Sequence, residues 1–120
     1  ARLSGCKNFA AILSTEDPHV VTVPEWGNIP FRCAASCRHG ITQLGIRSNH
    51  VRPSSPGAVN ALPCRVERVM DDVSACIVLL RPEASLPGAP LLWMELPKEQ
   101  WQGGRTVIVS LPPEHILLLA

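Results

Sequence analysis

The chain has 120 residues, 46% of them hydrophobic and 18% charged, with a formal net charge of +1. That is enough apolar material for a folded core and too little charge for a disordered chain. A balance so near zero excludes strong electrostatic attraction to nucleic acid or to an acidic membrane surface.

Twelve prolines and eight glycines break the sequence into short pieces. No uninterrupted piece holds a 3.6-residue period, so long helices are not expected. No apolar run approaches the ~20 residues of a membrane helix. Five cysteines is an odd number, without the spacing of a disulfide framework, and reduced thiols are the simpler reading. No signal peptide is visible and the chain does not begin with Met, so it reads as a piece of a longer protein.

Short β-branched runs between turn signals point to an all-β fold. The first strand is expected over residues 6–13 and the second over 20–23, ended by Pro24. Trp26-Gly27-Asn28 reads as a turn. Residues 29–35 read as a third strand, with Pro30 at its start or on a sheet edge. A loop over 36–40 leads to a fourth strand over 42–47 and a turn over 48–51. Residues 53–57, PSSPG, form the clearest linker.

Beyond it, residues 62–70 alternate until Arg68-Val69, where the slip predicts a bulge. Asp71-Asp72 reads as a hairpin turn, not a catalytic pair. Strands follow over 74–80, 91–96 and 105–111, with one helical turn over 98–102. In the strand over 91–96, Leu92, Met94 and Leu96 share one face. The apolar tail over 116–119 reads as a last short strand.

The sequence also repeats itself. Residues 44–53 read LGIRSNHVRP and residues 109–118 read VSLPPEHILL. Each is an apolar run, a two-residue break, then a polar residue, a histidine and a β-branched residue. One strand-then-turn unit used twice divides the chain into residues 1–54 and residues 55–120. Each half supplies four or five short strands, the inventory of a small closed barrel of the oligonucleotide/oligosaccharide-binding (OB) type. Neither half buries much surface alone, so the two pack together or exchange strands. His50 and His115 are equivalent in this repeat, which argues for a shared task such as capping the turn. Trp26 and Trp93 are read as equivalent barrel plugs.

Ser4, Gly5, Cys6, Lys7 and Asn8 form the sharpest candidate site. A small-residue turn leading into a strand leaves N–H groups free to face an anion. Ser4 and Asn8 add side-chain donors and Lys7 a positive charge. The bland alternative is an ordinary turn with a solvated lysine. The halves also differ in charge. Residues 1–54 carry six Lys/Arg and three Asp/Glu, whereas residues 55–120 carry five and seven, so a small anion should prefer the first half. Cys33-x3-Cys37-x-His39 has ligand types suited to zinc but lacks a fourth member, and it reads as buried or loop thiols. No nucleophile–base pairing and no GxxxxGK[ST] phosphate loop is present, so neither a catalytic residue nor ATP hydrolysis is expected of this chain.

SGCKN followed by an alternating strand resembles the start of the small molybdate-binding domains, the molbindin or MOP-like family. Their opening has the form Thr/Ser-Ser-Ala-Arg-Asn. Lys7 stands where that family has Arg, Asn8 matches its Asn, and Gly5-Cys6 replace Ser-Ala. GIRSNHV over residues 45–51 is similar to the Gly-hydrophobic-Arg-Pro-Glu-hydrophobic signature of TOBE domains, which follow the nucleotide-binding domain in ATPases of ABC importers. The resemblance spans essentially the whole chain.

It implies two tandem small OB-like modules, MOP-like or TOBE, packed together as the C-terminal accessory domain of a molybdate- or tungstate-type importer ATPase. Such a domain is not an enzyme. It would bind an oxyanion at Ser4–Asn8 and need no other cofactor and no metal. Its implied partners are a second copy of itself as a homodimer, the N-terminal ATPase domain and, through it, the membrane subunits. Nucleic acid is not among them. The implied location is cytoplasmic, at the inner face of the membrane. The alternative within the same family is a ligand-free spacer that only pairs the ATPase subunits.

Overall fold

The structure, a computed structural model, describes the backbone from Cys6 and the side chains from Asn8 to Ala120. Eleven strands are joined by four single 3-10 turns among the described residues. In the first half these are β1 (Cys6–Ala11), β2 (Leu13–Ser14), β3 (Val20–Val23), β4 (Ile29–Arg32), β5 (Gln43–Arg47) and β6 (Arg52–Pro53). In the second they are β7 (Ala61–Asp71), β8 (Ala75–Pro82), β9 (Leu92–Pro97), β10 (Thr106–Ser110) and β11 (Leu117–Leu119). No helix among them is long and apolar enough to cross a membrane.

The sequence signals act as expected at several points. The ladder between β7 and β8 shifts register between Val66 and Arg68, one residue from the predicted bulge. Pro30 lies in β4, an edge strand, where a missing N–H costs no ladder bond. Leu92, Met94 and Leu96 are buried while Trp93 and Glu95 are half-buried. Gly27 ends the 3-10 turn Pro24–Trp26 at φ 86. A Cβ there would lie 2.6 Å from the Ala84 Cβ, so glycine is needed for both the backbone and the close approach.

The strand order runs β4-β3-β2 with β1 continuing past Ile12 into β5-β11, against β9-β8-β7-β10-β6 in the second group. The two orders match strand for strand, except that the last member of each comes from the other half. After the turn Ser48–His50 the chain crosses to pair β6 with β10. After the turn Pro113–His115 it crosses back to pair β11 with β5. Of the two arrangements open to the sequence, exchange is the one observed. Each exchanged strand covers an edge that would otherwise stand open.

Register fixes which residues correspond. Counting back from the two histidines, Gly45 matches Ser110; Phe9 faces Gly45 and Ala61 faces Ser110. Asn8 therefore corresponds to Asn60, and Leu13 to Arg65. Leu13 faces Thr22 and Arg65 faces Arg81; Val20 then faces Arg32 as Leu79 faces Trp93. Trp93 thus corresponds to Arg32 and not to Trp26, which corrects the pairing of tryptophans expected from the sequence. Sequence distance misled because the loop before β9 is much longer than the turn before β4.

A single hydrophobic cluster joins the halves. It runs from Val21, Phe31, Leu44 and Ile46 to Leu62, Leu80, Leu92, Met94 and Val109. Trp26 plugs one end, buried and edge-on to Phe31 at 5.7 Å between ring centroids.

Candidate functional site

Ser4 and Gly5 lie outside the described residues, and of Cys6 and Lys7 only the backbone is described. Cys6 pairs with Arg47 and Asn8 with Ile46, so Lys7 occupies a register shift at the start of β1. Such a shift is the usual place for a strand to change direction. The same register sets Arg47 opposite Cys6, on the strand next to the candidate segment. The site prediction did not include Arg47. Its signal was present, since it closes the strand of the repeated strand-then-turn unit.

Asn8 is buried, and its amide is directed at the other half of the molecule. Asn8 Nδ2 donates to the Trp93 carbonyl at 2.9 Å, and the Trp93 N–H donates to Asn8 Oδ1 at 2.7 Å. One side-chain amide thus imitates a strand and satisfies both backbone groups at the outer edge of β9. The sequence assigned Asn8 to an anion as a donor. In the structure its carboxamide also serves as a clasp between halves.

Asn60 repeats the device in the opposite direction. The Arg32 N–H donates to Asn60 Oδ1 at 2.7 Å, and Asn60 Nδ2 donates to the carbonyls of Arg32 and Leu111, both at 2.8 Å. Asn60 adopts φ 53, a left-handed conformation that asparagine tolerates better than most residues.

Beside Asn8 is a hollow of about 180 Å³ between the halves, lined by Phe9, Glu25, Trp26, Leu91 and Trp93 among others. Its walls mix polar and apolar surface, and Glu25 is its ionisable side chain among the described residues. That chemistry does not suit an oxyanion.

The histidines of the repeat meet. The rings of His50 and His115 stack with centroids 3.7 Å apart and planes 13° from parallel, where the two exchanging segments cross. They were expected to cap their turns; neither turn has a side-chain cap, and each ring packs on its counterpart instead. Burial, then the positive potential of His115, Arg47 and Arg52, holds His50 below the ordinary histidine pKa.

Cys33 is buried, Cys37 is half-buried and His39 is exposed. Among the described residues no three His, Cys, Asp or Glu side chains gather as a metal site. Burial pushes the thiols of Cys33 up to about 11 and Cys64 up to about 12. Both behave as small hydrophobes.

Comparison with solved structures places the architecture. The chain superposes on a crystal structure of the cytoplasmic molybdate-binding protein ModG, in a form grown with molybdate bound, with a TM-score of 0.66 and 13% identity. The match covers 98% of each chain. The fold is the molbindin fold. Neither the known protein families nor the curated proteins give a sequence match. The OB-like, all-β architecture expected from the sequence is thus observed over the described residues.

Proposed function

We propose that the chain is a two-module oxyanion-binding domain, divided at residues 54 and 55, which acts by binding and coupling and not by chemistry. One observation carries this reading: the fold coincides over 98% of both chains with that of a protein crystallised with molybdate. The segment Ser4-Gly5-Cys6-Lys7-Asn8, with its small residues, hydroxyl and cation, supplies donors an oxyanion needs. Molybdate and tungstate are the ligands of choice.

The finer assignment is the C-terminal accessory domain of an ABC importer ATPase in the cytoplasm, at the inner face of the membrane. Its support is the similarity of residues 45–51 to the TOBE signature. In that setting two copies pair as a homodimer and hold the ATPase subunits together. Plentiful cytosolic oxyanion binds at residues 4–8 and favours the arrangement in which the ATPase halves are apart. A ligand shifts such a balance only through its differential affinity for the two arrangements.

A specific observation favours a second reading, the ligand-free spacer. The Asn8 carboxamide is engaged with Trp93, so part of the proposed donor set already has a structural task. Calorimetry with molybdate, tungstate and sulfate separates the two readings. Saturable heat with molybdate or tungstate supports the binding role. No heat at millimolar anion leaves the spacer.

A further inference from the structure

We infer that the chain carries one oxyanion site and not two: the second copy of the site segment has become a purely structural clasp. The inference rests on the oxyanion-binding reading above and concerns how many sites the repeat retains.

The two asparagines are equivalent by register, so residues 56–60 correspond to residues 4–8. The first segment reads SGCKN and the second PGAVN. Glycine and asparagine are kept, and the hydroxyl and the cation are gone. Pro56 replaces the hydroxyl of Ser4 and has no N–H. Val59 stands where Lys7 does. The loss continues on the neighbouring strand, where Arg47, opposite Cys6, has Pro112 as its counterpart. The second copy therefore lacks both cations.

Two of its remaining donors are engaged inside the protein. The Ala58 N–H closes a turn on the Ser55 carbonyl at 3.1 Å. The Asn60 amide is shared between the carbonyls of Arg32 and Leu111. Even the Val59 carbonyl is fixed, by the Ser110 hydroxyl at 2.7 Å. The asparagine, kept in both, is what the clasp needs. What differs is what an anion needs.

Tungstate binding to the full chain, followed by calorimetry or equilibrium dialysis, tests this with two variants. The unaltered chain should take up no more than one tungstate per chain. Lys7→Ala should weaken all of it together, by roughly tenfold or more, as expected for a charge-assisted contact. Val59→Lys alters an exposed position, so folding should survive, and it should leave the equivalents of tungstate bound unchanged, because Pro56, Pro112 and the engaged Asn60 amide remain. More than one equivalent in the unaltered chain, or a full-affinity class that survives Lys7→Ala, overturns the inference while leaving the oxyanion reading intact. So does a folded Val59→Lys chain that binds a second equivalent with the affinity of the first. No uptake by the unaltered chain strikes at the oxyanion reading itself.

Discussion

Asn8 and Asn60 occupy the same place in two copies of one barrel and do the same mechanical work. Each carboxamide reaches across to the other half and satisfies a backbone N–H and C=O at a sheet edge. Apart from a shared glycine, the residues just before them have diverged in chemistry, from hydroxyl, thiol and lysine to proline, alanine and valine. Edge satisfaction is demanded by the fold in both copies, because an unpaired strand edge invites unwanted pairing. A cation at the strand start is demanded only by a ligand. Where two equivalent positions agree, the cause is shared architecture; where they differ, the cause is specific to one copy.

The largest test of that comparison is in the core. Phe31 and Leu92 are equivalent by register, and both are fully buried in one cluster that spans the halves. Phe31→Ala should cost about 3–5 kcal/mol and Leu92→Ala about 2–5 kcal/mol. Because the cluster is continuous, each variant should still unfold in a single transition. Denaturant unfolding followed by tryptophan fluorescence and circular dichroism reads this directly. Two separate transitions in either variant would show halves that stand independently, against the exchange of β6 and β11.

Next come the clasps themselves. Asn60→Ala removes three hydrogen bonds at a position with φ 53 and should cost about 2–4 kcal/mol. Asn8→Ala should cost about 1–3 kcal/mol through the stranded backbone of Trp93. Thermal unfolding of the two variants compares them. A negligible loss in both would mean that water satisfies these edges as well as the carboxamides do.

Much of this fold was legible because its signals are local. Pro24 ends β3, the slip at Arg68-Val69 lies one residue from the observed bulge, and Gly27 marks a left-handed turn. The repeated histidine turn revealed the duplication because both copies kept the same residue order. The exchange of β6 and β11 was left open, since a two- or three-residue strand has no period and its partner is distant in sequence. The clasps were not legible for a related reason. An asparagine near the start of a strand looks alike whether its amide meets an anion or a backbone 85 residues away.

The histidine pair offers a smaller effect with a definite sign. His50 titrates lower in the folded chain than its ordinary 6.5, through burial and then through His115, Arg47 and Arg52. As pH falls through that value the unfolded chain takes up the proton first, so stability present above it is lost. The loss levels off once the folded chain is protonated too. Melting temperature should therefore fall between about pH 7 and pH 5, and His115→Asn should flatten that slope. An unchanged slope in the variant would exclude the stacked pair as its source.

Thiol reactivity gives the gentlest comparison between the halves. Cys33 in the first half and Cys64 in the second are both fully enclosed, with thiols pushed to about 11 and about 12. Cys37, close by Cys33 in the chain, is half-buried. The thiolate is the reactive form, so Cys33 and Cys64 should alkylate on the order of a hundredfold more slowly than Cys37 near neutral pH. Mass spectrometry after timed iodoacetamide treatment reads each site separately. If one half opens locally more often than the other, its buried cysteine will be labelled first, and the order will tell which half loosens. Labelling of both only as fast as the whole chain unfolds is the outcome that a single shared core requires.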